Sequence, residues 1–310
     1  MSGQNASRAE SRAGPGAGIV VPFLLVALVW GSTWIVIKDQ ISTVPPGWGA
    51  TWRFALGAVG MVVLALLRRE SLRLPADAQR LAAIVGVAQF SLNFQFIYPA
   101  EHYLTSGLVA VLFALLLVPN ALLSRLFLGT RIGGRFMAGT AVAMVGIGML
   151  LLHEYRVAPP SASVPLGIAL TCGALLSAST ANVLQQGAVA RRTALVPMLA
   201  WAMIWATVAN VVLSSLIYGP PVFDSRPAAV GGIVYLGLVG SVLTFPMYFS
   251  LIRKMGAGRA AYSGVLTPVV AMGLSTLFEG YRWSFLAGAG AVTALAGLII
   301  ALSSSAKDRG

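Results

Sequence analysis

Charge is what this chain has least of. Only 10% of its 310 residues are Asp, Glu, Lys or Arg. The nine acids (Glu10, Asp39, Glu70, Asp77, Glu101, Glu154, Asp224, Glu279 and Asp308) all fall in tails, connections or the ends of apolar runs. Neither histidine, His102 or His153, lies mid-run. A proton relay or a cation counter-charge at the centre of a membrane would need such a group, so obligatory proton coupling through a central carboxylate is disfavoured. The single cysteine, Cys172, excludes a disulfide framework and a Cys-based metal site, and reads as structural filler. Lys38, Lys254 and Lys307 sit at run ends or in a tail, which disfavours a retinal-type Schiff base. The runs hold no nucleophile, metal cluster or acid pair for an intramembrane enzyme, and no ring of charge or filter motif for a channel. No catalytic residue, metal ligand or cofactor is expected.

What the chain does have is apolar length. It is 57% hydrophobic, with a mean hydropathy of +0.83. Its charges bound runs near the roughly 20 residues that cross a bilayer: Ile19–Ile37, Trp48–Leu67, Leu81–Ala100, Leu104–Ser124, Phe136–Leu152, Pro165–Gln185, Leu195–Ile217, Ala228–Ile252, Ala260–Phe278 and Trp283–Ser303. The expected fold is an all-α polytopic membrane protein of ten transmembrane helices. The first run is too long for a signal-peptide core and has no small-residue cleavage site behind it. Residues 1–18 read as a disordered cytoplasmic tail, 153–164 as an external linker and 304–310 as a second cytoplasmic tail.

The net charge of +12 does not point to nucleic acid, because the cations are sorted by side. Counting connections alternately places sixteen Lys and Arg on one side and four (Lys38, Arg156, Arg226 and Arg282) on the other, with Arg53 alone inside a run. That positive-inside asymmetry puts both termini in the cytoplasm.

The sequence also contains one stretch twice. Leu126–Gly146 aligns without a gap on Leu277–Gly297 with 8 identities in 21 positions, among them Leu126-Phe127-x-Gly129-x-Arg131 on Leu277-Phe278-x-Gly280-x-Arg282. Both copies then carry a Gly-xxx-Ala-xx-Gly row, which lets helix backbones approach closely in lipid. Residues 19–152 and 165–303 are therefore expected to be two copies of a five-helix unit. Five is odd, so the second copy must cross in the opposite sense, giving inverted repeats with a site at their interface.

Candidate site residues follow from depth and helix face. Trp30-Gly31-Ser32-Thr33-Trp34 lies near the middle of the first run and Ser177-Ala178-Ser179-Thr180 at the matching place in the sixth. Small polar groups there either bond a neighbouring helix or line a cavity, and Trp30 lies deeper than the interfacial belt. Gln89 and Asn93, four apart on one face of the third run, need partners or water; a cavity is favoured because Phe94 and Tyr98 could supply an aromatic wall. Pro119 with Asn120 in the fourth run and Thr267-Pro268 in the ninth kink corresponding helices, a pointer to a binding region. Phe113, Phe245, Tyr248 and Tyr262 complete the set. Trp201 and Trp205 read as a packing or lipid stripe. Arg53 is costly in lipid; it snorkels outward or is ion-paired, with a solute contact as the alternative.

Taken as an ordered set, Trp30-Gly31-Ser32-Thr33-Trp34, Arg53-Phe54, Leu126-Phe127-Leu128-Gly129 and Leu277-Phe278-Glu279-Gly280 resemble the drug/metabolite transporter superfamily, and within it the EamA-type exporters that include the YddG-like amino-acid exporters. The resemblance covers nearly the whole chain. It implies a bacterial inner-membrane carrier with a central cavity lined by helices 1, 3, 4, 6, 8 and 9. One departure is that the family often has Gly-Glu after the fourth helix, where this chain has Gly129-Thr130, and Glu279 precedes its glycine. The expectation is an exporter, a monomer with a dimer as the alternative, of amino acids or similar neutral or zwitterionic metabolites by alternating access, through a neutral site of aromatic, amide and hydroxyl groups. The alternative is a multidrug or quaternary-amine exporter of the same superfamily, which would want an acid at mid-depth.

Overall fold

A computed structural model describes residues 17–130, 132–157, 163–255, 257–260 and 263–303. Candidate Tyr262, the cation Arg131, both tails at 1–16 and 304–310, and linker residues 158–162 lie outside the described residues. Among the described residues there is no strand. This follows from the solvent: in lipid a backbone N–H or C=O must be satisfied within its own segment, and a helix does that.

Eight helices are long and apolar enough to cross a membrane. They are α1 (Ala17–Ile41), α2 (Pro46–Leu67), α3 (Ala76–Ala100), α4 (Ser106–Leu128), α5 (Gly134–Val157), α6 (Val164–Leu184), α7 (Leu195–Tyr218) and α8 (Pro227–Lys254). Two further apolar helices, α9 (Ser263–Phe278) and α10 (Phe285–Ser303), follow. Helix α1 takes in residues 17 and 18, and α5 continues past His153 into the stretch expected to be linker.

Local chemistry sets the helix ends. Proline opens the first turn of α2, α6 and α8, where its missing N–H costs no helical bond. The duplicated Leu-Phe-x-Gly motif is a helix stop: Gly129 and Gly280 both take φ +68°, a left-handed conformation that needs glycine. Their neighbours close matching caps, with Thr130 N–H donating to Ser124 O (3.4 Å) and Tyr281 N–H to Ser275 O (3.2 Å).

Three helices are irregular near mid-length. In α4 a tighter 3₁₀ turn, Ala114–Leu116, spans the carbonyl four residues before Pro119, which proline cannot bond. Helices α3 and α8 each widen into a π turn, Gly86–Leu92 and Tyr235–Leu243. The duplicated stretch is offset by 151 positions (277 minus 126), and that offset carries residues 86–92 onto 237–243, inside the second π turn.

The most extensive helix contact joins α5 to α10. A Cβ placed on Gly146 would lie 2.2 Å from Ala294 N, and one on Gly297 would lie 2.2 Å from Ala143 N. Under the 151-residue offset Gly146 maps on Gly297 and Ala143 on Ala294, so the contact is its own image. Pairing of Gly139 with Ala301 and of Gly146 with Ala294 also means that the two helices run antiparallel. Helix α2 packs against α7 in the same antiparallel sense, with Gly47 at Ser214 and Gly57 at Met203. The larger of two apolar clusters among the described residues draws on helices from both pairs, and in it Phe54 meets Phe90 and Phe90 meets Phe245 at ring separations of 5.3 and 4.7 Å.

Candidate functional site

An internal cavity lies where α1, α3, α4, α6, α8 and α9 converge, with α2 contributing one side chain. Its volume is about 90 Å³, smaller than the usual small-molecule site, so a solute of amino-acid size needs the walls to part. Helix α1 supplies Trp30, Thr33 and Trp34; α3 supplies Gln89, Asn93 and Phe94; α4 supplies Phe113; α8 supplies Phe245 and Tyr248; and α9 supplies Thr267. The aromatic wall is continuous, with Trp30 against Phe245 (5.1 Å) and Tyr248 (4.8 Å), and Trp34 against Phe113 (5.6 Å).

Nine of the expected residues thus share one cavity. Four others do not reach its surface. Tyr98 and Asn120 are fully buried behind it, Tyr98 against Phe94 and Asn120 accepting from Asn182 Nδ2 at 3.4 Å. Ser177 and Thr180 are turned away from it, each donating to its own helix at Gly173 O (2.9 Å) and Leu176 O (2.9 Å), and Thr180 is exposed on the outer face of α6. The side chain that α6 presents to the cavity is Asn182, two residues farther along. The signal for it was the one used for α3, an isolated amide in an apolar run.

The polar groups divide into satisfied and unsatisfied sets. Thr33 Oγ1 donates to Trp30 O (2.8 Å), Trp30 Nε1 to Gly240 O (3.3 Å), and Asn93 Nδ2 to Gln89 O (3.2 Å). The π turns widen the backbone and leave carbonyls for side-chain donors: Phe90 O takes Asn210 Nδ2 (3.0 Å), and Gly240 O takes Arg53 as well as Trp30. In contrast, Gln89 Oε1, Asn93 Oδ1, Asn182 Oδ1 and Trp34 Nε1 are buried without a partner among the described residues. Gln95 belongs to the fold, its Nε2 donating to Asn210 Oδ1 (3.0 Å) and Ser214 Oγ (3.1 Å) on α7.

Arg53 departs from expectation. It neither snorkels nor pairs with an acid: it is 1% exposed, lines the cavity and forms no ion pair with any described carboxylate. The wall is therefore not neutral as expected; it carries a guanidinium. Residue count from the helix end gave its depth but not its direction, and the side chain points inward to Ser241 Oγ (3.1 Å) and Gly240 O (3.3 Å).

At one end of the bundle lies a second polar cluster. Lys38 Nζ donates to Glu101 O and to Leu104 O, joining the end of α1 to the α3–α4 turn. Glu279 Oε2 accepts from Ser106 N–H (3.2 Å) at the start of α4 and from Ser275 Oγ, so the displaced glutamate caps a helix N-terminus. Glu101 is completely buried; burial pushes its carboxyl well above the ordinary range, with nearby Lys38 opposing and Glu279 adding to the shift. A helix-end position therefore did not mean exposure. At the α1–α2 and α7–α8 connections Asp224 is held at about 2 by bonds from Arg226 N–H and Thr43, in an exposed ion pair with Arg226.

Comparison with known proteins places this architecture. The EamA-like transporter family matches residues 18–152 and 165–303. PagO of Salmonella typhimurium is 26% identical over 269 residues, covering 86% of each chain. A probable amino-acid metabolite efflux pump of Escherichia coli is 25% identical over 291 residues, covering 89% of this chain and 92% of that one. The uncharacterized inner membrane transporter YedA of Escherichia coli is 31% identical over 259 residues, covering 82% of this chain and 80% of that one. A solved crystal structure matches with a TM-score of 0.68 at 18% identity over 96% of this chain and 100% of that one, which establishes a shared fold. With eight membrane-capable helices and a family match over both halves, the chain belongs to the EamA-like transporter family and is a multi-pass membrane transporter.

Proposed function

We propose that this transporter exports amino acids or similar small zwitterionic metabolites across the bacterial inner membrane, by alternating access around the cavity between α1, α3, α4, α6, α8 and α9. The observation that carries this reading is the cavity wall itself. Rings from Trp30, Trp34, Phe113, Phe245 and Tyr248 surround it, while Gln89, Asn93, Asn182 and Trp34, which also line it, each carry a buried polar atom without a partner among the described residues. Such a wall takes a solute with an apolar body and a few fixed polar groups. The Escherichia coli relative described as a probable amino-acid metabolite efflux pump supports the same class of solute.

Alternating access rests on the two halves. Residues 19–152 and 165–303 act as inverted five-helix repeats, with α9 and α10 as the last two spans, residues 153–164 as the outer linker and both termini in the cytoplasm. The self-imaging antiparallel contact of α5 with α10 and the π turns at matching places in α3 and α8 support that symmetry. Rocking one half against the other would expose a site between them to each side in turn. Among the described residues no Asp or Glu lines the cavity, so a permanent cation would find no counter-charge from them there.

Counterflow in proteoliposomes tests the reading. Vesicles loaded with one unlabelled amino acid at a time should take up a labelled one, with rates unaltered by an imposed pH gradient. Absence of exchange with every amino acid, in vesicles that exchange amines, would sink it.

A further inference from the structure

A guanidinium in a membrane interior needs a partner, because it stays charged at any physiological pH and desolvation is costly. What Arg53 has is incomplete. Its Nε donates to Ser241 Oγ (3.1 Å) and its Nη2 to Gly240 O (3.3 Å), so the π turn of α8 fixes one edge of the fork. Its plane lies over the Phe94 ring at 4.5 Å and near that of Phe54 at 5.3 Å. The Tyr98 hydroxyl lies close enough to stabilise the guanidinium, but neither it nor Nη1 completes a hydrogen bond of ordinary geometry among the described residues. Among the described residues Nη1 is buried with no acceptor, and no carboxylate pairs with the group. Neutral oxygens and aromatic faces offset only part of the cost of a buried charge.

The unmatched atoms around the cavity are complementary to one kind of ligand. Two donors, Arg53 Nη1 and Trp34 Nε1, lack acceptors, and three acceptors, Gln89 Oε1, Asn93 Oδ1 and Asn182 Oδ1, lack donors. A carboxylate satisfies the first set, and an ammonium or amide N–H on the same small molecule satisfies the second. The geometry points to Arg53 as the carboxylate receptor of the cavity: accepted solutes carry a carboxylate, held by the free edge of the guanidinium. This deepens the transport reading and rests on it for the use of the cavity. It also inverts the selectivity expected of a cation exporter, since Arg53 repels a solute that carries only positive charge.

Binding to the purified full-length protein tests this without transport, by quenching of tryptophan fluorescence, since Trp30 and Trp34 line the cavity. The probes are leucine and phenylalanine, their primary amides, and N-acetylphenylalaninate. The wild type should bind the acids about 10- to 100-fold more tightly than the matching amides, the worth of a charge-assisted hydrogen bond. Arg53→Gln should abolish that ratio, and Arg53→Lys should keep part of it, as a point charge without the planar fork. Equal binding of acids and amides by the wild type overturns the inference even if neither variant folds, as does a ratio that survives in Arg53→Gln. So does a wild type that binds none of these probes. The transport reading falls on a different result, the absence of counterflow.

Discussion

The α5–α10 contact and the cavity wall lie in one bundle and solve opposite problems. Between α5 and α10 the closest approaches are backbone on backbone, with Gly139, Gly146, Gly290 and Gly297 leaving no room for a methyl group. In lipid, where burying apolar surface gives helices no drive to associate, that intimacy is what holds them together. Around the cavity two of the helices open into π turns and polar atoms are left unmatched among the described residues. An interface fixed by shape keeps the halves joined, while a wall with unmet hydrogen bonds is held ready for a ligand. The polar groups differ accordingly: Gln95 Nε2 bonds across to Asn210 and Ser214, with its Oε1 left unmatched among the described residues, whereas Gln89 Oε1 and Asn93 Oδ1, on side chains that line the cavity, bond to no neighbouring helix.

That contrast can be broken most severely at the dry contact. Gly146→Leu places a side chain where the partner backbone stands 2.2 Å from the nearest Cβ position, and folded protein recovered by size exclusion should fall to near zero. Gly148→Leu, two residues along on the open side of α5, should leave the yield unchanged. On the cavity side, Gln89→Ala combined with Asn93→Ala should reduce counterflow by about 10-fold or more while the melting temperature in detergent stays near that of the wild type. Asn210→Leu sharpens the comparison from the other direction. It strips Phe90 O of its side-chain donor and Gln95 of one of its two acceptors and should cost about 1 kcal/mol of stability, read in denaturant titration, with counterflow per folded molecule retained.

The smallest effect concerns the cluster at the bundle end. Burial raises the Glu101 carboxyl in the folded state, so the fold binds that proton more tightly than the unfolded chain does. Stability from this group is complete at low pH and is lost as pH rises through the folded value. Glu101→Gln should therefore melt at the same temperature as the wild type in acid, and slightly above it as pH rises past the ordinary carboxylate range. A melting difference that is constant with pH would contradict the assignment.

Much of the fold was legible in the sequence because lipid imposes simple rules. Run length gave the helices, and the repeated Leu-Phe-x-Gly motif gave two helix stops at glycines with φ +68°. The Gly-xxx-Ala-xx-Gly rows marked α5 and α10 as close-packing helices, and the structure shows that they pack on each other. The cavity lining was legible at several amides and aromatics set in apolar runs, as with Gln89, Asn93 and Trp34, though Asn120 and Tyr98, chosen on the same ground, lie behind it. It was misread where rotation about the helix mattered. Ser177 and Thr180 were selected by analogy to Thr33 and face away, while Asn182 on the same helix was passed over. The π turns were invisible, since they answer to neighbours across the bundle: a Cβ on Gly86 would lie 2.2 Å from Ala202 O on α7. Arg53 was placed at the right depth, but what turns it inward is Ser241 and Gly240, nearly 190 residues away in sequence.

The central claim, that solute sits among the unmatched groups of this cavity, is tested most directly by protection from chemical labelling. Cys172 is the only cysteine and lies exposed on α6, so Cys172→Ser yields a thiol-free background into which Asn93→Cys can be introduced. The rate at which a small methanethiosulfonate reagent modifies that thiol is then measured with and without an amino acid that the same protein exchanges in vesicles. A rate slowed several-fold, to an extent that tracks occupancy across a concentration series, is the predicted result. A rate indifferent to saturating solute would place the binding site elsewhere and contradict the account.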